Sequence, residues 1–198
     1  MAETRLHLAS SELILGGQKS GKSRRAELLA RDWLAASNTH QAVLLATGQP
    51  WDDEMRQRIA RHQVDRAARV PGLRTVEEPL ALAEKITQLS RPDTLLVVDC
   101  LTLWLTNCLM PMVPESEQNR PVAPVDRASV ALLLEAIAAA PGPVVLVGNE
   151  IGLGVIPLGS EVRAFVDALG RLNQDVAAVC QRVTLMAAGL PLTLKDME

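Results

Sequence analysis

Hydrophobic positions along the chain fall into short unbroken runs separated by longer amphipathic stretches. The runs are Leu13-Ile14-Leu15, Val43-Leu44-Leu45-Ala46, Thr94-Leu95-Leu96-Val97-Val98-Asp99, Pro143-Val144-Val145-Leu146-Val147 and Arg182-Val183-Thr184-Leu185-Met186. Apolar runs without polar alternation suit parallel strands covered on both faces. A further short strand is predicted over residues 73–76. Helical periodicity fills the intervals, over residues 22–36, 52–68, 79–89, 101–109, 126–140 and 160–181. This alternation predicts one α/β domain over residues 1–198, built on a mainly parallel sheet. Residues 110–125 carry Pro111, Pro114, Pro121 and Pro124. They read as a surface loop, because the strand–helix rhythm resumes after them. Residues 189–195 are predicted to turn back as a short edge strand.

Composition narrows the function classes. The chain has 198 residues, of which 48% are apolar, and a net charge of −3. That content supports a packed core and excludes whole-chain disorder. With 20 Lys+Arg against 23 Asp+Glu there is no general field for a nucleic-acid backbone, so no nucleic-acid partner is expected. The aromatic residues are Trp33, Trp51, Trp104 and Phe165, too few for a base-stacking platform. The opening residues carry Glu3, Arg5 and His7 without an apolar run, and no stretch is long enough to span a membrane. Cys100, Cys108 and Cys180 fit no zinc or redox spacing. Free core thiols in a reducing, cytoplasmic setting are expected.

The first strand runs directly into Gly16, Gly17, Gln18, Lys19, Ser20, Gly21, Lys22 and Ser23, which fit G-x-x-x-x-G-K-[ST] with a helical pattern behind. In that context the motif is a phosphate loop. Glycines let the backbone curl so that several N–H groups point at one anion, and the helix start adds partial positive charge. Lys22 would reach the β and γ phosphates, and Ser23 would place a hydroxyl on Mg²⁺. Asp99 ends an apolar strand, where an acid can serve the same Mg²⁺. Together these features predict a P-loop NTPase-type (RecA-like) three-layer fold. No N-K-x-D guanine motif occurs, which argues against a GTPase switch protein.

A second chemical candidate lies on the helix after the second strand. Asp52, Asp53 and Glu54 open it, as the helix dipole prefers. Glu54, Arg58, His62 and Arg66 recur four apart and form a polar stripe. Cations on both sides favour a neutral imidazole at His62, which is a nucleophile. On the pattern alone, a histidine on a solvated charged helix is the more ordinary reading.

The motifs together resemble the bifunctional adenosylcobinamide kinase / adenosylcobinamide-phosphate guanylyltransferase family of cobalamin biosynthesis. The resemblance is carried by the phosphate loop followed by Arg24, by Ala46-Thr47, and by Asp52-Asp53-Glu54-Met55 with Arg58-Ile59 and His62. It continues through Arg74-Thr75-Val76-Glu77, Asp99-Cys100-Leu101-Thr102 with Thr106-Asn107, and Asn149 to Pro157. It ends on Gly170-Arg171-Leu172-Asn173-Gln174 and on Gly189 with Lys195. It implies phosphorylation of the aminopropanol hydroxyl of adenosylcobinamide by ATP or GTP, then GMP transfer from GTP to that phosphate. It implies that His62 takes the GMP first; the preceding position, histidine in some relatives, is Arg61 here. It also implies nucleotide contacts at residues Gly16 to Ser23, at Ala46, Thr47 and Gly48, at Gln63, Val64, Asp65 and Arg66, and at Glu77 and Asp99. Mg²⁺ as cofactor and a homo-oligomeric assembly follow from the same resemblance. Two other readings stay open: a small-molecule P-loop kinase without nucleotidyl transfer, and a nucleotide-gated binding module.

Overall fold

The computed structural model describes residues 8–50, 52–110, 127–154 and 157–197. The proline-rich loop expected over residues 110–125 lies almost wholly outside them, as do Trp51, Val155 and Ile156. The elements in chain order are β1 (Ser11–Gly16), α1 (Lys22–Ala36), β2 (Gln41–Ala46), α2 (Asp53–Arg69), β3 (Leu73–Glu77) and α3 (Leu82–Leu89). There follow β4 (Thr94–Asp99), α4 (Leu101–Leu109), α5 (Arg127–Ala138), β5 (Val144–Val147), α6 (Ser160–Val179), β6 (Arg182–Ala187) and β7 (Leu190–Asp196). Each interval that the periodicity assigned to a strand or helix contains one, with ends displaced by a few residues. The largest displacement is at α3, where Pro79 to Ala81 form the approach to the helix rather than its first turn.

The strands form one sheet in the order β3-β2-β4-β5-β1-β6-β7, all parallel except β7, which runs antiparallel to β6. Strand β5 thus lies between β1, which leads into the phosphate loop, and β4, which ends in Asp99. The unbroken apolar runs become the central strands. All four residues of β5 are buried, as are Leu95 to Val98 of β4. The edge strands read differently. β3 is only partly covered. Pro191, which cannot donate to a ladder, is tolerated because β7 is an edge.

The sheet is covered on both faces, giving three layers. Leu13, Leu15, Val43, Leu45, Leu96 and Val98 pack against α3, α4, α5 and α6. The alternate residues Ile14, Ala42, Leu44, Leu95 and Val97 pack against Ala26, Leu29 and Ala30 of α1. This period-two division follows from the pleat, which sends successive side chains to opposite faces. A buried charge reinforces α1: Glu12 of β1 is fully enclosed, accepts from Thr184 Oγ1 at 2.8 Å and pairs with Arg25 of α1 at 2.9 Å.

Candidate active site

The chain between β1 and α1 curls into the predicted cradle. Gly16 has φ +151°, and a Cβ there would stand 2.5 Å from the Met186 carbonyl oxygen and 2.6 Å from Ser20 Oγ, so no side chain fits. Gly21, with φ +102°, is the N-cap of α1, and Gly16 to Gly21 enclose Lys19 in the left-handed region at φ 57°. The loop closes on itself through Ser20 N–H donating to the Gly17 carbonyl at 3.3 Å. Lys22 is buried and its ammonium donates to the Gly17 carbonyl at 2.6 Å. The first turn of α1 carries no acid, so the N-terminal partial charge is left for an anion. A brace that the sequence did not announce comes from the β6–β7 turn: Gly189 N–H donates to the Ser20 carbonyl at 3.0 Å.

Asp99 ends β4 in register with Ala46 of β2 and Val147 of β5. The peptide bond after it is cis. Helix α4 then ties the neighbouring strand ends together. Thr47 is fully buried and its hydroxyl donates to the Cys100 carbonyl at 2.7 Å while accepting from the Cys100 N–H at 2.8 Å. Asn107 Nδ2 donates to the carbonyls of Thr47 at 2.8 Å and Pro79 at 3.1 Å. Thr102 Oγ1 accepts from Asn149 N–H at 2.9 Å, and Glu150 N–H donates to the Gly16 carbonyl at 3.1 Å. A hydrogen-bonded band therefore crosses the carboxyl edge of the sheet, where ligands bind in open α/β folds.

Helix α2 is placed by its far end. Asp52 caps it, accepting from Met55 N–H at 2.7 Å. His62, Gln63, Val64 and Asp65 are exposed, Val64 at 70%. Ile59 is half-buried over Gly48, beside Leu103. Arg66 is buried, and here the expected solvated stripe turns inward. Its guanidinium lies 3.8 Å from Glu27 of α1 and donates to Thr75 Oγ1 of β3 at 3.2 Å. Arg69 Nη1 donates to Glu27 Oε2 at 2.5 Å. Burial pushes the Glu27 carboxyl up from its usual value; the Arg69 and Arg66 guanidiniums oppose this, and Asp99 adds a smaller upward push. Both α1 and α2 follow parallel strands, so both begin at the carboxyl edge of the sheet. One turn toward that edge from the Glu27–Arg66 contact stand Ser23 on α1 and His62 on α2, each displaced by about 6 Å along its helix.

Not every predicted contact gathers there. Gly16 to Ser23 and Asp99 share the carboxyl edge around β1, β5 and β4. Ala46, Thr47 and Gly48 line the neighbouring β2 end, with the Thr47 hydroxyl already engaged. Glu77 ends β3, four strands from β1, or about 19 Å across the sheet. Sequence reading also missed Glu27 and the two-carbonyl role of Asn107, which no local pattern marks. The cysteines are free as expected; burial pushes the Cys100 thiol up to about 11 and that of Cys180 up to about 12. Among the described residues no helix is long and apolar enough to cross a membrane.

Comparisons with known proteins identify the family. A family described as cobinamide kinase / cobinamide phosphate guanyltransferase matches residues 12–194. The bifunctional adenosylcobalamin biosynthesis protein CobP of Pseudomonas aeruginosa is 46% identical over 185 residues, covering 93% of this chain and 96% of the relative. The bifunctional adenosylcobalamin biosynthesis protein CobU of Salmonella typhimurium is 36% identical over 187 residues, covering 92% and 98%. Among solved structures, the Pyrococcus horikoshii protein PH0250 shares the fold at a TM-score of 0.51 and 11% identity, over 98% of this chain and 90% of that one. The match over residues 12–194, nearly the whole chain, and the 46% identity to a relative covered over 96% of its length place this protein in the cobinamide kinase / cobinamide phosphate guanyltransferase family.

Proposed function

We propose that the protein phosphorylates the aminopropanol hydroxyl of adenosylcobinamide with ATP or GTP and then builds adenosylcobinamide-GDP through a guanylyl group carried on His62. The observation that carries this reading is the Glu27–Arg66 contact, which sets the histidine helix beside the helix that begins at the phosphate loop. In the first reaction the hydroxyl oxygen attacks the γ phosphorus, its proton leaves, and the bond to the β-phosphate oxygen breaks to release the nucleoside diphosphate. In the second, an imidazole nitrogen of His62 attacks the α phosphorus of GTP and pyrophosphate departs. The corrinoid phosphate then attacks the same phosphorus and the P–N bond breaks. Splitting the transfer in this way exchanges one hard displacement for two easier ones.

The phosphate loop holds the polyphosphate through its backbone N–H groups. Lys22 exchanges the Gly17 carbonyl for phosphate oxygens and offsets their charge as it shifts. Ser23 and Asp99 are the residues that would hold Mg²⁺, which supplies charge neutralisation on the phosphates. The donor set fits: one hydroxyl and one carboxylate leave room for phosphate and water oxygens, the usual company of Mg²⁺. We place the reaction in the cytoplasm and expect a homo-oligomer. The exposed Leu190, Leu192 and Leu194 of β7 offer an apolar edge for a second copy.

The test is incubation with GTP labelled at the α phosphorus. Wild-type protein should take up acid-labile, alkali-stable label, and His62→Ala should take up none. Wild-type protein that stays unlabelled, while still phosphorylating adenosylcobinamide, would leave a kinase without nucleotidyl transfer.

A further inference from the structure

Most of the described side chains of helix α2 are exposed. Of its residues with described side chains, Arg66 alone is buried, followed by Val70 just beyond its end. Both its buried arginine and the neighbouring Arg69 converge on one carboxylate, that of Glu27, which is 3% exposed. Glu27 belongs to α1, one turn beyond Ser23, and Asp99 is near enough to add to the rise of its carboxyl. A buried carboxylate is costly unless paired, so the two arginines have a strong reason to stay where Glu27 holds them. The grip lies at the carboxyl-terminal end of α2, and the exposed stretch ahead of it carries His62.

We infer that Glu27 is a positioning residue for nucleotidyl transfer: its clasp on Arg66 and Arg69 fixes the angle at which α2 leaves α1, and thereby the approach of His62 to the α phosphorus. This rests on the assignment of His62 as the guanylyl acceptor. Phosphoryl transfer to the corrinoid hydroxyl does not pass through α2. It depends on the phosphate loop, which Gly189, Met186 and the buried face of α1 hold without Glu27. The Arg25–Glu12 pair at 2.9 Å anchors α1 independently of the clasp. Releasing the clasp therefore separates the two activities.

The experiment compares Glu27→Gln with wild type in two assays: single-turnover labelling of His62 by α-labelled GTP, and phosphorylation of adenosylcobinamide by ATP. A displacement of about 1 Å in a reacting group can cost roughly 100-fold. Labelling should slow by between about tenfold and 100-fold, with half-saturation by GTP within about threefold of wild type, because the loop still binds the triphosphate. Phosphorylation should stay within about threefold. Arg69→Ala keeps the Arg66 contact and lies nearer solvent, so it should fold even where Glu27→Gln does not; it should show the same split at smaller amplitude. Wild-type labelling rates in both variants, or equal losses in the two assays, would overturn the inference and leave Glu27 a plain stability contact. Wild-type protein that takes no label would instead overturn the role of His62, and the inference with it.

Discussion

Helices α1 and α2 follow adjacent steps of the same winding and flank the same site, yet they are built in opposite ways. Helix α1 buries Ala26, Leu29 and Ala30 against the sheet and adds the enclosed Glu12–Arg25 pair. Helix α2 shows its first three turns largely to solvent and is held near its end by charge. The difference matches the tasks proposed for them. A cradle for polyphosphate must be in place before the ligand arrives, since its value lies in N–H groups that need no rearrangement. A nucleophile that first attacks a nucleotide and then presents the product to a second substrate gains from a lightly attached support.

That contrast can be broken at several points. The largest effect should follow Lys22→Ala. Removing the one side-chain cation in the phosphate loop's interior should cut both phosphorylation and labelling by at least about 100-fold, and calorimetric titration with GTP should show weakened binding. Loss of only one activity would mean that the two reactions do not share the cradle. Next comes packing. Leu29→Ala on α1 should lower unfolding free energy by about 2–5 kcal/mol. Ile59→Ala on the half-buried face of α2 should cost less than about 1.5 kcal/mol. Urea denaturation reads both, and equal costs would show that α2 is packed as tightly as α1. Asn107→Ala should cost about 1–3 kcal/mol by leaving the Thr47 and Pro79 carbonyls without their donor, with denaturant midpoint as the readout.

The smallest effect at neutral pH concerns two buried thiols, Cys100 on the face that α1 covers and Cys180 on the opposite one. Cys100 and Cys180 have folded-state values near 11 and 12 against an ordinary 9, so the folded protein holds their protons more tightly than the unfolded chain does. Their contribution to stability is complete below pH 9. It is lost as pH rises from 9 through the folded-state value, to about 11 for Cys100 and to about 12 for Cys180. Replacing both by alanine should flatten the alkaline limb of the stability curve. In native protein at pH 8, neither should react appreciably with a disulfide reagent.

Much of the cradle was legible because its cause is local. A buried strand, a glycine-rich turn and a helix start are contiguous, and each residue type there answers to backbone geometry or to phosphate. Asp99 could be read from the end of an apolar run. The other half of the site is assembled across the fold. Arg66 sits four residues after His62, and the spacing described a solvated stripe correctly at Glu54 and His62. What turns Arg66 inward is Glu27, thirty-nine positions earlier on another helix, and no periodicity records that partner. The same holds for Asn107, whose two acceptors lie at the ends of β2 and ahead of α3.

The hydrogen bond from Gly189 to Ser20 joins a motif to a turn synthesised 169 residues after it. On the ribosome, the loop would emerge with its signature intact and its buttress not yet made. A product halted before residue 186 would carry a sequence recognisable as nucleotide-binding while lacking the wall that Met186 and Gly189 build behind it. Triphosphate capture by nascent chains of increasing length would therefore serve as a stopwatch for β6 and β7 docking onto the sheet.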